Sequence, residues 1–177
     1  MITAAAVMLF SGYADYSQSA RQPEKNVVWT NEGCAFEVSF PEQPKLVTKE
    51  VPPYGEITSA QLGIGNSAFQ AECFTATPET MKALEGSNRE KVKKLLEVNL
   101  TESGIYPFEI ELREQGNFVI ALGQGQKQVE GQLVTYTKSF SIENRSVFST
   151  TIGAPAAEFP PEGHMKFLKS IKLKSRD

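Results

Sequence analysis

Residues 34–44 read CAFEVSFPEQP. Cys34, Phe36, Val38 and Phe40 alternate with Ala35, Glu37 and Ser39 at period two, the pattern of a strand with one face in a core and one toward water. Pro41 and Pro44 lack the N–H that a sheet ladder needs and so end the pairing. Outward from this stretch, residues 47–51, 57–64 and 68–75 continue as strands, separated by Pro52-Pro53-Tyr54-Gly55 and by Gly65-Asn66-Ser67, both turn-forming clusters. Four short strands with no helix between them predict antiparallel pairing. Val27-Val28-Trp29, upstream, are the first residues expected to be ordered.

The pattern then changes period. Thr77 before Pro78 suits an N-cap with proline in the first helical position, giving a short helix that Gly86 ends. Ser87 and Glu90 have capping-box spacing, and Val92, Leu95, Leu96, Asn99 and Leu100 recur at helical intervals up to Gly104, which predicts a longer helix over residues 88–102. Its apolar stripe must lie on the sheet, with Lys91, Lys94 and Glu97 facing away. Strands resume where Phe108, Ile110 and Leu112 alternate with Glu109, Glu111 and Arg113. Gly116-Asn117 marks a hairpin leading into residues 118–122. A polar loop is expected at 123–131, followed by strands at 132–142 and 146–152 joined across Glu143-Asn144-Arg145. A closing helix from about Pro160 carries Met165, Phe167, Leu168 and Ile171, and Lys-Leu-Lys then suggests a short last strand. This order predicts an α+β domain: a single antiparallel sheet with helices packed on its faces.

The chain has 177 residues, 40% hydrophobic and 22% charged, which suits one domain with its own core. Eighteen Lys and Arg against 21 Asp and Glu leave a net charge of −3, with no basic excess for a phosphate backbone or an anionic lipid surface, so nucleic acid is not expected as a partner. Asp occurs only at Asp15 and Asp177, and His only at His164. Chemistry that draws on short carboxylates or paired histidines is therefore poorly supplied: calcium loops, Mg²⁺-phosphate sites, paired-aspartate proteases and two-histidine zinc helices. No cofactor, no metal and no catalytic residue is expected.

Residues 2–10 are apolar and too short to span a bilayer, and Ser11-Gly12-Tyr13-Ala14 follows with small residues placed for cleavage after Ala14. Residues 1–14 read as a signal-peptide remnant, although no Lys or Arg precedes the apolar stretch. Residues 15–26 read as a polar tether, and 27–177 as the single domain. No other segment is apolar enough to cross a membrane. A periplasmic or secreted location follows.

In that compartment Cys34 and Cys73 are expected to form a structural disulfide. Cys34 has the parity of Phe36, Val38 and Phe40, and Cys73 that of Phe69 and Ala71, so both lie on buried faces. A bridge closing a loop of about 40 residues stabilises by about 4 kcal/mol on the chain-entropy estimate. Two inert buried thiols and a redox-active pair are the competing readings.

The remaining candidates have simpler explanations beside them. His164 is the single imidazole for a Cys-His pair or a Ser-His-Glu triad; the plain alternative is a partly exposed residue opening the last helix. Glu109 and Glu111 share one face about 7 Å apart, a spacing met in paired-carboxylate glycoside chemistry and equally on any half-exposed strand. Lys127 among Gly123, Gly125 and Gly131 hints at a phosphate cradle but lacks the GK[ST] ending and its helix. Lys166, Lys169, Lys172, Lys174 and Arg176 form a basic carboxy-terminal stretch. Between Glu50 and Met81 there are four Glu and no Lys or Arg, which predicts an acidic surface opposite it.

The Trp29 segment, Phe36-Glu-Val-Ser-Phe40-Pro41 with Pro44, the helix at 88–102, the strands over 108–152 and the ending Phe167-Leu168-Lys-Ser170-Ile171-Lys-Leu173 together resemble the PsbP-like fold family, over about Trp29 to Leu173. Its members include the extrinsic photosystem II protein, many exported bacterial proteins of unassigned role and a eukaryotic relative that binds the GTPase Ran. The resemblance implies an α/β/α sandwich and binding or assembly roles, with no residue of fixed chemical role to carry over. The function expected is that of an exported, non-catalytic domain binding a protein or cell-envelope component. A small hydrolase using Glu, Ser and His164, or a carrier of an apolar small molecule favoured by the 11 Phe, are the alternatives.

Overall fold

A computed structural model describes residues 26–52, 55–83 and 86–175. The leader expected at 1–14, the tether up to residue 25, the Pro53-Tyr54 turn and Arg176 lie outside the described residues. Strands β1 (Val27–Trp29), β2 (Phe36–Phe40), β3 (Lys45–Val51), β4 (Gly55–Ile64) and β5 (Ser67–Thr75) are followed by helices α1 (Pro78–Ala83) and α2 (Asn88–Glu102). Then come β6 (Tyr106–Gln115), β7 (Phe118–Val129), β8 (Gln132–Glu143) and β9 (Ser146–Pro155), a 3₁₀ turn, α3 (His164–Lys169) and β10 (Lys172–Leu173).

The single sheet expected from the sequence is in fact two. Strands β3 to β9 form a seven-stranded antiparallel sheet in the order β3-β4-β5-β9-β8-β7-β6, while β1, β2 and β10 form a separate sheet in the order β1-β2-β10. The prolines at 41 and 44 explain the division. They end β2 before it can turn back on β3, so the chain crosses from one layer to the other. The expected stack of helices on both faces is corrected likewise: α2 covers one face of the large sheet, and the small sheet with α3 covers the other.

Between the two sheets lies an aromatic core. Phe36 packs against Phe148 and Phe118 with ring centroids 5.4 and 5.3 Å apart, and Phe167 packs edge-on to Phe40 and Phe69 at 5.0 and 5.4 Å. Burying each such ring contributes about 1.5–3 kcal/mol. Cys34 and Cys73 are joined as a disulfide at the margin of this core, tying the start of β2 to β5. The Ser146 hydroxyl accepts from Ala35 N–H at 2.9 Å and lies 3.3 Å from Cys73 Sγ. The parity of the two cysteines thus placed them correctly.

On the opposite face α2 begins with the expected capping box: Ser87 N–H donates to Glu90 Oε2 at 2.6 Å, and Glu90 N–H to Ser87 Oγ at 3.4 Å. Val92, Leu96 and Leu100 are buried against Ala121, Phe140 and Ile142. The loop expected at 123–131 is instead the second half of β7, which runs unbroken to Val129. Its glycines serve close approach rather than a turn. A Cβ on Gly123 would stand 2.9 Å from Leu100 Cδ1 and 3.0 Å from Leu96 Cδ2, so α2 sits where no side chain can rise from the strand.

Gly123→Ala is therefore expected to destabilise by about 1–3 kcal/mol through overpacking. Gly63→Ala, where an added Cβ meets nothing nearer than Ser67 O at 4.0 Å, is expected to be nearly neutral. Urea unfolding of both variants checks this; equal midpoints would refute the close-approach reading.

Candidate functional site

A groove of about 1000 Å³ lies at one end of the large sheet. One wall consists of hairpin tips, Gln115 and Asn117 between β6 and β7, and Glu143 and Asn144 between β8 and β9. The other is the carboxy-terminal run from Lys169 to Ser175. Gln115 Nε2 ties the walls together by donating to Ile171 O at 2.6 Å and to Leu168 O at 3.2 Å. Lys174 Nζ donates to Asn31 O at 3.1 Å, and Lys172 Nζ pairs with Glu37 at 2.9 Å with most of its side chain still in solvent. Lys169 is exposed. Lys169, Lys172 and Lys174 of the basic stretch thus lie on one wall of this groove.

His164 is a correction to the expected partly exposed residue: it is buried, with 5% exposure. Its Nε2 is 3.0 Å from Thr137 Oγ1, Phe159 stacks edge-on against the ring, and Nδ1 has no hydrogen-bond partner among the described residues. Burial holds its pKa below the ordinary 6.5. Glu109, Glu111, Arg113 and Gln124 line the same cavity of about 70 Å³, room for about two waters at liquid volume. Arg113 donates to Glu111 Oε2 at 2.6 Å and holds that carboxyl below the usual range. The structure therefore brings His164, Glu109 and Glu111 around one small space, and the imidazole's polar partner there is a threonine. The expected sharing of one face by Glu109 and Glu111 is correct.

A third polar cluster had no signal in the sequence. Lys138 projects from β8 on the α2 face, where Nζ donates to Asn99 Oδ1 at 2.6 Å and to Ser103 Oγ at 3.1 Å. Lys127, on β7 four residues along from the Gly123 that stands opposite Lys138, donates to Ser103 O at 2.8 Å. Helix α2 has no basic residue in its last turn, and these two lysines supply that charge from the sheet. The lysine among glycines is thus a helix cap and not part of a phosphate loop. Burial pushes Lys138 down to about 8, partly opposed by Glu72, whose own carboxyl is raised by burial despite Lys138 and a 2.7 Å hydrogen bond from Gln70 Nε2. Only the strand parity of Glu72 and Lys138 could have suggested this pairing. Because Glu72 points inward, the acidic surface expected between Glu50 and Met81 loses one of its four members. Glu50 and Glu56 do face each other across β3 and β4.

No group of three His, Cys, Asp or Glu among the described residues is placed to hold a metal ion. No described helix is long and apolar enough to cross a membrane.

No family model and no curated protein matches the sequence. Solved structures do match. The solution structure of cyanobacterial PsbP (CyanoP) from Synechocystis sp. PCC 6803 superposes with a TM-score of 0.58 at 8% identity, over 90% of this chain and 98% of that one. A crystal structure from Bacteroides thetaiotaomicron VPI-5482 matches at TM-score 0.48 and 12% identity, over 80% of this chain and 46% of that one. A protein of unknown function from Pseudomonas aeruginosa matches at TM-score 0.45 and 12% identity, over 86% of this chain and 98% of that one. The chain has a PsbP-like fold.

The buried imidazole sets a pH dependence. Because its folded pKa lies below 6.5, the unfolded chain takes up a proton that the folded chain refuses, and stability falls as pH drops below about 6.5. Urea midpoints at neutral pH and near pH 5 are expected to fall further for the native chain than for His164→Asn; equal falls would contradict the burial. Lys138 has the opposite range. Folded Lys138 loses its proton from about 8 and unfolded lysine from 10.5, so stability relative to Lys138→Met is expected to rise across that interval. A flat difference between the two chains would count against it.

Proposed function

We propose that this chain is an exported binding domain that engages a protein or cell-envelope component through the hairpin-tip end of its large sheet. One observation carries the reading: a groove of about 1000 Å³ lies between two hairpin tips and the carboxy-terminal strand, on loops held by a rigid frame, the usual place for recognition surfaces. The groove wall includes Cys34, so the disulfide that fixes β2 on the large sheet also fixes the groove. A buried disulfide joining two layers of a domain is the chemistry of an oxidising compartment, which supports a periplasmic or secreted location.

The test is a photo-crosslinking amino acid introduced in cells at Asn117 or Ser175 on the groove, and at Gln132 at the far end of the sheet. A discrete adduct from the groove positions, absent from Gln132, is the expected result. Adducts of equal yield from all three, or from none, would reject the groove as the binding surface.

A further inference from the structure

The groove wall contains an open strand edge. Lys174 N–H donates to Ala35 O at 2.9 Å. Since Leu173 stands opposite Phe36 and Lys172 opposite Glu37, hydrogen-bonded pairs fall at 174:35 and 172:37. The N–H and C=O of Leu173 therefore point away from β2. On that side β10 ends its sheet, with no strand beyond it among the described residues. One step earlier along the same edge, the outward carbonyl of Ile171 receives the Gln115 side-chain amide at 2.6 Å, a side chain standing where a further strand would bond. The wall on which this edge lies carries Lys169, Lys172 and Lys174, faced by Glu143 alone among the acids lining the groove, in a chain whose net charge is −3.

We propose that the partner presents an extended, acidic segment that adds to β10 as a further strand, its backbone bonding Leu173 and its carboxylates lying along the lysine wall. This inference rests on the binding role proposed above and names the partner's chemistry. Strand addition supplies affinity through main-chain hydrogen bonds and leaves selection to side chains, which here favours Glu or Asp over Lys or Arg. The chain's net charge of −3 adds to that selection, because it disfavours an acidic segment over the surface as a whole while the lysine wall favours it.

The probe is a fluorescent peptide of about eight residues alternating glutamate and valine, long enough for one strand, with controls in which lysine replaces glutamate and in which alternate backbone amides are N-methylated. Anisotropy titration against the intact, oxidised domain is expected to show saturable binding of the glutamate peptide only. Binding should weaken about tenfold in a Lys169→Glu/Lys172→Gln variant, checked to be folded by its thermal transition, and fall with added salt. Backbone amide exchange at Leu173 is expected to slow on binding. Equal binding of the lysine peptide, indifference to N-methylation, or an unchanged Leu173 amide would overturn the proposal. So would a dimer in sedimentation whose Leu173 amide is protected without peptide, since a second copy would then occupy the edge. Groove crosslinks in cells with no glutamate-peptide binding would discard the acidic strand while leaving the groove as the binding surface.

Discussion

The fold depends on the contact between β2 and the large sheet. A sheet of three strands, two of them only two or three residues long, has no core of its own and exists by laying Phe36, Val38 and Phe40 onto Phe69, Phe118 and Phe148. That apposition fixes where the first and last described strands lie. β1 and β10 flank β2, so both the first and the last described strands are held by the five residues Phe36–Phe40. The disulfide secures one end of β2 and Ser170 Oγ, accepting from Ser39 N–H at 2.9 Å, secures the other.

Much of this was legible because local pattern and tertiary role agree. The alternation around Phe36 and Val38 marks a one-faced strand and becomes one; the Ser87–Glu90 box begins α2 at Asn88. Parity placed both cysteines and both strand glutamates on the correct faces. What the sequence hid was long-range. Pro41 and Pro44 mark where β2 stops, but their pattern does not say that the chain then crosses to another layer, so the sequence alone puts β2 in the main sheet. Gly123 and Gly125 carry the local signature of a loop, and only α2 lying on the first, and the Ile105 side chain and Tyr106 backbone lying on the second, reveal that a missing side chain is required. His164 lacks a periodic context that would reveal burial, because its burial comes from Phe159 and Thr137, each on a different element.

Polar side chains in the interior serve mostly to join elements. Lys127 and Lys138 reach from adjacent strands to the end of α2, Gln115 reaches from β6 to the backbone around Ile171, and Arg145 Nε donates to Ala76 O at 2.9 Å. On the aromatic side, β8 presents Thr135, Thr137, Ser139 and Ser141, all buried, with Ser139 Oγ 2.6 Å from Thr150 Oγ1. Thr137 Oγ1 meets His164 Nε2 and Thr135 Oγ1 accepts from Gln126 Nε2 at 3.1 Å, while Ser141 Oγ has no hydrogen-bond partner among the described residues. The groove is different in kind: its lysines and hairpin tips face outward, and its strand edge has an unfilled place.

The pairing of β5 with β9 has a consequence for synthesis. Ala68 stands opposite Gly153 and Thr75 opposite Ser146, so the middle of the sheet joins segments from the two halves of the polypeptide. A nascent chain that has emerged only as far as α2 possesses a three-stranded meander with one naked inner edge and a helix lacking its platform. Productive assembly must wait until β9 is made, since its pairing with β5 and β8 closes the middle of the sheet.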